Sequence, residues 1–292
     1  MPELPEVETV AQGLRRRALG RRISEVEVCH PGLIKGAPEE FVCRVTGRTI
    51  GAVRRKGKVI VVELAGAEGE PQFLMIRLGM TGQVTLEPRE SPREPHTHVV
   101  MPLDKGREEL RFCDTRRFGS LRVLRREEIE ATLGTLGPDA REITEDEFFR
   151  SMRGRHGALK SWLMNQQILA GLGNIYADEA LFAARLHPLV QAGHVSREAA
   201  HRLYRAVRRV LDRAVNLQGT SFRDYVDIEG KPGSFAIRLK VYQRDGEPCR
   251  RCRTPIRRLV IAGRSSHFCP RCQPRPRHTA KMRGPRKKRR RF

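Results

Sequence analysis

The sequence predicts an α+β protein of two dissimilar parts, a β-rich N-terminal half and a helical C-terminal half that ends in a small metal-held hairpin. Three observations predict it. Between residues 23 and 125, eight short runs rich in β-branched and aromatic residues are separated by Gly, Pro and charged turns, with no helical period between them. From residue 146 onward the apolar residues recur three and four apart. Near the end, two Cys-x-x-Cys pairs, at 249–252 and 269–272, enclose sixteen residues.

Taken in order, residues 5–18 read as a helix. Pro5 suits its first turn, Glu6 and Glu8 its positive end, and Arg15, Arg16 and Arg17 its negative end. Val7, Val10, Leu14 and Ala18 make one apolar face, and Gly20 stops the element. Strands are expected at 23–28, 42–45, 58–64, 73–77, 82–86, 98–101, 109–112 and 120–123. Eight strands without crossover helices imply a sandwich or barrel rather than a parallel sheet. The polar, Gly- and Pro-punctuated stretch from Arg125 to Phe148 reads as a hinge region. Helices follow at 146–153, 158–169, 176–185 and 196–217, the last with a buried stripe of Ala199, Leu203, Val207, Val210 and Ala214. The expected organisation is a β domain over 1–130, a hinge over 131–150, a helical domain over 151–235, a four-cysteine zinc finger over 236–273 and a basic tail over 274–292 that is disordered when free.

Charge narrows the partner. Fifty-seven Lys+Arg stand against 34 Asp+Glu, a net +23 with a pI near 10.8, and residues 273–292 supply ten of those charges with no acid. The remaining +13 still favours a polyanion, with nucleic acid first. No run approaches the length of a membrane-spanning helix, and the first twenty residues mix Glu and Arg as a signal peptide does not. The expectation is an intracellular, cytoplasmic protein that meets the nucleoid. Seven cysteines fit a disulfide scaffold poorly, and the scattered Cys29, Cys43 and Cys113 read as small core residues.

Cys249, Cys252, Cys269 and Cys272 supply four soft thiolates in tetrahedral reach of one Zn²⁺, which leaves no position for water or substrate and makes the metal structural. Between them Arg257, Arg258 and Arg264 are carried on a hairpin suited to holding phosphate. Upstream, Gly171 and Gly173 turn the chain into a helix that begins near Asn174, where free N–H groups suit a phosphate. Lys160 stands ready to contact the same backbone.

The opening MPELPEVETV carries the chemistry. If Met1 is removed, Pro2 becomes a free secondary amine, and α-amino groups titrate at about 7.7–8.0 against about 10.4 for lysine. Neutral at physiological pH, it is a nucleophile whose adduct with a sugar carbon is an iminium, an electron sink that acidifies neighbouring protons and drives phosphate elimination. Glu3 is placed to move protons, Glu6 to orient the amine or helix start, and Lys58 to come in from the sheet toward a phosphate or lesion.

These motifs, in this order, resemble the bacterial formamidopyrimidine-DNA glycosylases over residues 1 to about 273. MPELPEVET, RRKGKVIVVEL, RLGMTGQ, DTRRFG, LKSWLMNQQILAGLGNIYADEALF and CRRC through CPRC carry the resemblance. It implies a β-sandwich with flanking helices, a helix-two-turn-helix element and a zinc finger. It further implies excision of oxidised purines such as 8-oxoguanine and formamidopyrimidines from duplex DNA, then strand cleavage at the abasic site. The roles it implies are Pro2 as nucleophile, Glu3 as acid/base, Glu6 as supporting carboxylate and Lys58 as active-site cation. Met80, Arg116 and Phe118 would fill the void left by the extruded base, and Lys160, Asn174 and Arg264 would grip phosphate. Glu179 would line the base pocket, and residues 217–235, with Thr220 and Ser221, would close over the base as a mobile lid. Thr115 departs from the family's usual proline. Two rival readings share these features: an endonuclease VIII-like glycosylase for oxidised pyrimidines, and a zinc-finger damage-binding protein without chemistry. One enzyme acts on one lesion, so a monomer is expected.

Overall fold

The computed structural model describes residues 2–66 and 69–275. Met1 and all but the first two residues of the basic tail lie outside the described residues.

Two antiparallel four-stranded sheets form a sandwich. One has the order β2 (Thr49–Lys56), β3 (Val59–Ala65), β4 (Gln72–Arg77) and β8 (Ser120–Leu124). The other runs β1 (Glu27–Val28), β6 (Thr97–Pro102), β7 (Glu108–Cys113) and β5 (Gln83–Pro88). Ile60, Val62, Leu74, Ile76 and Leu121 of the first sheet face Val84, Val99, Met101 and Phe112 of the second across the core. The alternate residues Val59, Val61, Phe73 and Met75 point the other way and are buried beneath α3 (Arg126–Gly134) by Ile129. Burial on both faces explains why β3 and β4 read as continuous apolar runs.

Five expectations are corrected. Residues 42–45 are not a strand but the end of α2 (Pro38–Val45), which has Pro38 in its first turn, Glu39 and Glu40 behind it, and Phe41 and Val45 buried four apart. The stretch read as hinge contains α3 and the start of α4 (Glu145–Met152), so only residues 135–144 lie between helices. The helix expected over 158–169 stops at Leu163, because Asn165 Oδ1 takes the Gln167 N–H and the Gln166 side chain bonds Gly171 N and Leu172 O, offering the backbone a turn instead. Cys113 is buried, but Cys29 and Cys43 are exposed rather than core residues. The strand β2 went unrecognised, and of 23–28 only Glu27 and Val28 pair in a sheet.

The helical domain packs α4, α5 (Leu159–Leu163), α6 (Asn174–Ala184) and α7 (Arg197–Asn216) around Phe148, Trp162, Tyr176 and Leu203. The finger is the hairpin β9 (Arg257–Ile261) and β10 (Arg264–Phe268). Two segments sew the halves together. α1 (Leu4–Arg17) puts Val7, Val10 and Leu14 in the sandwich core and Leu4 in the helical core. The loop after α7 returns Tyr225 and Ile228 to the sandwich, where Ile228 O accepts the Leu86 N–H at 2.8 Å. Among the described residues, no helix is long and apolar enough to cross a membrane.

Candidate active site

Glu3 is the residue before α1, and its carboxylate crosses to the other domain. It accepts the backbone N–H groups of Gly173 at 2.8 Å and Ile175 at 2.9 Å, at the start of α6. A helix N-terminus is an electrostatically favourable seat for a carboxylate. Gly173 is required there: a Cβ on it would sit 2.4 Å from the Glu3 carboxyl carbon. Glu6 lies directly beneath. Its Oε2 accepts the Glu3 N–H at 2.7 Å, and its Oε1 accepts the Thr220 N–H at 2.7 Å and the Tyr176 hydroxyl. Burial, and then the neighbouring Glu3, push the Glu6 carboxyl above the usual carboxylate range against these hydrogen bonds.

Lys58 arrives on the β2–β3 turn. Gly57 makes the turn at φ +58, and its N–H donates to Asp139 Oδ2 at 2.7 Å. Arg55 locks the same turn by binding Glu8 at 2.7 Å, Asp139 at 2.5 Å and Gly57 O at 2.9 Å, with 3% of its side chain exposed. Burial pushes the Lys58 ammonium below its ordinary value, while Glu3 and Glu6 pull it back up.

Pro2 lies between two cavities. One of about 430 Å³ is lined by Met80, Thr220, Phe222, Tyr242 and Gln243, the other of about 340 Å³ by Lys58, Leu78, Gly79 and Phe118. The rim carries the three wedge candidates. Phe118 is 59% exposed, the Arg116 guanidinium lies over its ring at 4.9 Å, and Met80 is half-buried at the larger cavity. Buried Asp114 holds that loop by accepting from Thr81 Oγ1, Arg116 N and Gly119 N. A third concavity of about 400 Å³ brings Asn174, Arg258 and Arg264 together. Among the described residues, Asn174 Oδ1 is buried there without a hydrogen-bond partner.

Residues 1–121 match the formamidopyrimidine-DNA glycosylase N-terminal domain, 135–226 the H2TH domain of the same glycosylase, and 246–275 the zinc finger found in FPG and IleRS. The chain is 44% identical over 276 residues to the formamidopyrimidine-DNA glycosylase of Solibacter usitatus, covering 94% of this chain and all of that protein. With the enzyme of Heliobacterium modesticaldum the identity is 45% over 281 residues, again 94% of this chain and all of the relative. The Lactococcus lactis Fpg in complex with DNA containing an abasic site superposes with a TM-score of 0.86 at 32% identity, covering 94% of this chain and all of that one. MutM in complex with DNA containing carbocyclic 8-oxo-G superposes at 0.85 with the same identity and coverage.

The chain belongs to the formamidopyrimidine-DNA glycosylase family.

Against that family's expected residue roles, the structure brings Pro2, Glu3, Glu6 and Lys58 to one place, sets Met80, Arg116 and Phe118 around it, and gathers Asn174 with Arg264 beside it. Three of the expected residues have partners within the chain. Glu179 is buried and accepts the N–H groups of Lys240, Val241 and Tyr242 at 2.9–3.0 Å, so fixing the segment that presents Tyr242. Lys160 is 1% exposed and paired with Asp178 at 2.7 Å. The Ser221 Oγ donates to Tyr225 O at 2.6 Å and accepts from Gly233 N at 2.8 Å, tying the base of the loop. Thr220 does line the pocket, and its Oγ1 lies 2.9 Å from the Tyr176 hydroxyl. The loop expected as a lid is tied to the core at Thr220, Ser221, Tyr225 and Ile228, while Phe222, 48% exposed, and residues 223–224 and 229–232 face solvent.

Tyr176, Tyr242 and Phe222 are site residues that the sequence does not mark, and Asp178, buried behind the site, is a structural partner of the finger that it does not mark either. Periodicity marks Tyr176 only as part of a helix, and no local pattern pairs Asp178 with groups nearly ninety residues away. In the finger, the Sγ atoms of Cys249, Cys252, Cys269 and Cys272 all lie within 4.8 Å of one another. Tetrahedral thiolate ligation at about 2.3 Å places sulfurs about 3.8 Å apart, and the observed pairs at 3.4, 3.5 and 4.0 Å bracket that spacing. The cluster can hold a metal ion.

Proposed function

We infer that this protein is a bifunctional DNA glycosylase and abasic-site lyase that removes oxidised purines from duplex DNA. The observation that carries the reading is the position of Pro2 between the two cavities, one large enough for an extruded base and one beside Lys58. Taking a base out of the stack costs a few kcal/mol, and Met80, Arg116 and Phe118 stand where inserted side chains offset part of it.

With Met1 removed, the Pro2 nitrogen adds to the sugar C1′ as the bond to the base breaks. A proton delivered to the ring oxygen, by Glu3 in this reading, opens the sugar and leaves an iminium between nitrogen and C1′. The iminium acidifies the C2′ proton; its loss expels the 3′ phosphate, a second elimination expels the 5′ phosphate, and water hydrolyses the iminium to free the amine. Lys58, close to Glu3 and Glu6, is assigned to the phosphate beside the lesion. Glu6, accepting the Glu3 N–H and the Thr220 N–H, sets the amine side of the site against the lesion loop.

The four cysteines would hold one Zn²⁺ with no open position, so the ion's contribution is a folded finger. Arg264, Asn174 and the basic tail are assigned to phosphate, the tail on charge alone. One chain carries all of these groups, so the reaction needs no second subunit. The expected compartment is the cytoplasm, at the nucleoid.

Borohydride reduction during turnover tests the reading. A covalent protein–DNA species should form on 8-oxoguanine opposite cytosine, map to the N-terminal peptide, weaken in Pro2→Gly and vanish when Met1 is retained. A crosslink mapping elsewhere overturns the mechanism, and stronger trapping on thymine glycol opposite adenine would move the substrate to oxidised pyrimidines.

A further inference from the structure

The helix that seats Glu3 also grips the finger. One turn beyond Asn174, the buried Asp178 carboxylate meets four groups: Lys160 Nζ at 2.7 Å, Ser266 Oγ at 3.1 Å, and the backbone N and ring Nδ1 of His267 at 2.8 and 3.1 Å. A carboxylate offers about four acceptor positions, so Asp178 is filled. Lys160 Nζ donates onward to Ser265 O at 2.6 Å. Lys160, Asp178, Ser266 and His267 are each no more than 4% exposed. Ser266 and His267 of β10 are therefore held at α6 and Ser265 at α5 through Lys160, and the residue just before these three is Arg264. A buried ion pair of this kind adds little stability over apolar packing. What it fixes is direction.

We propose that Asp178 is a positioning residue which, with Lys160, locks the phosphate-facing Arg264 of the finger to the helix that holds Glu3, through a joint separate from the cysteine cluster. The cluster closes the base of the hairpin, whereas Asp178 grips the middle of its second strand, at Ser266 and His267. Phosphate contact at Arg264 and the proton-handling site at Glu3 then sit on one rigid unit, α6. The proposal rests on the reading that Arg264 grips phosphate.

The test is the salt dependence of duplex binding by the full-length, metal-loaded protein, using an abasic-site analogue. Arg264→Gln should weaken binding about tenfold and flatten the log–log salt slope by about 0.9. Asp178→Asn should do the same, with metal content and the cleavage rate at saturating DNA unchanged, and should add nothing further in the Arg264→Gln background. If Arg264→Gln changes neither affinity nor slope, the phosphate reading fails. If Arg264→Gln acts but Asp178→Asn leaves the slope untouched, or its effect adds in full to that of Arg264→Gln, the joint fails. Should Asp178→Asn not fold, His267→Leu keeps the Lys160–Asp178 pair and removes one grip. It should shift affinity in the same direction and fall silent in the Arg264→Gln background, and full additivity there would overturn the proposal.

Discussion

Glu6 sits inside the protein where three donors converge on it, yet burial outweighs them and lifts its carboxyl above the usual range. The folded protein therefore keeps this proton at a pH where the unfolded chain, with its ordinary value of 4.5, has released it. Stability linked to Glu6 is full below the unfolded value and is lost as pH rises through the folded one. Glu6→Gln removes this dependence while opposing its amide to the Glu3 N–H, an unmet donor that costs about 1–3 kcal/mol. Scanning calorimetry from pH 4 upward should show the wild-type melting temperature falling toward that of Glu6→Gln as pH rises, and parallel curves would refute the lifted carboxyl. Pro2, Glu3 and Glu6 were legible as a group because the opening nonapeptide carries them together. Tyr176, which completes the network from the other domain, was not, because nothing within its own helix marks it as a partner of residue 6.

At the scale of elements, the site depends on how a turn meets a helix. The segment from Gly171 to Gly173 bonds the start of the chain twice: Gly171 O accepts the Leu4 N–H at 3.1 Å, and the Gly173 N–H donates to Glu3. Gly173→Ala would place a methyl group 2.4 Å from the Glu3 carboxyl carbon and 2.8 Å from its Cγ, so the carboxylate must leave its cradle. Overpacking of this kind costs about 1–3 kcal/mol, and a displacement of about 1 Å at reacting groups costs about a hundredfold in rate. Single-turnover cleavage of an 8-oxoguanine duplex should fall by about that factor while affinity for undamaged duplex holds, and a wild-type rate would sink the cradle. The sequence marked the glycines of this turn but extended the helix before it by a turn and a half, since Asn165 and Gln166 look permissive in a helical period and act here as backbone partners. Likewise α2 hid behind Val42 and Val45, whose β-branched character suggested a strand, although Pro38, Glu39 and Glu40 were a helix start in plain view. α3 was passed over because it buries only Ile129 fully, a single apolar residue against the outer face of a sheet.

For the molecule as a whole, composition and motif order revealed the two halves and the finger, but not what joins them. Leu4, Tyr225, Ile228 and the Arg55–Asp139 pair bind the domains through contacts between residues far apart in the chain, and no local pattern encodes such pairings. Charge, by contrast, is legible without coordinates. Ten of the net +23 charges lie within residues 273–292, after the last cysteine, and +13 remain on the rest. Each phosphate that a cation neutralises steepens the fall of log affinity with log salt by about 0.9 on duplex DNA. If tail cations engage phosphate alongside the cleft, the full chain should show a salt slope steeper by several units than the 1–273 protein, with the two affinities converging at high salt. Lesion choice should not move, because Pro2, Thr220 and the wedge residues all lie within the shorter chain, so the ratio of 8-oxoguanine to undamaged binding should change only through the common electrostatic factor. Equal slopes for the two proteins would show that the tail's charge takes no part in binding, and would leave the +13 of the folded portion to account for the whole salt dependence.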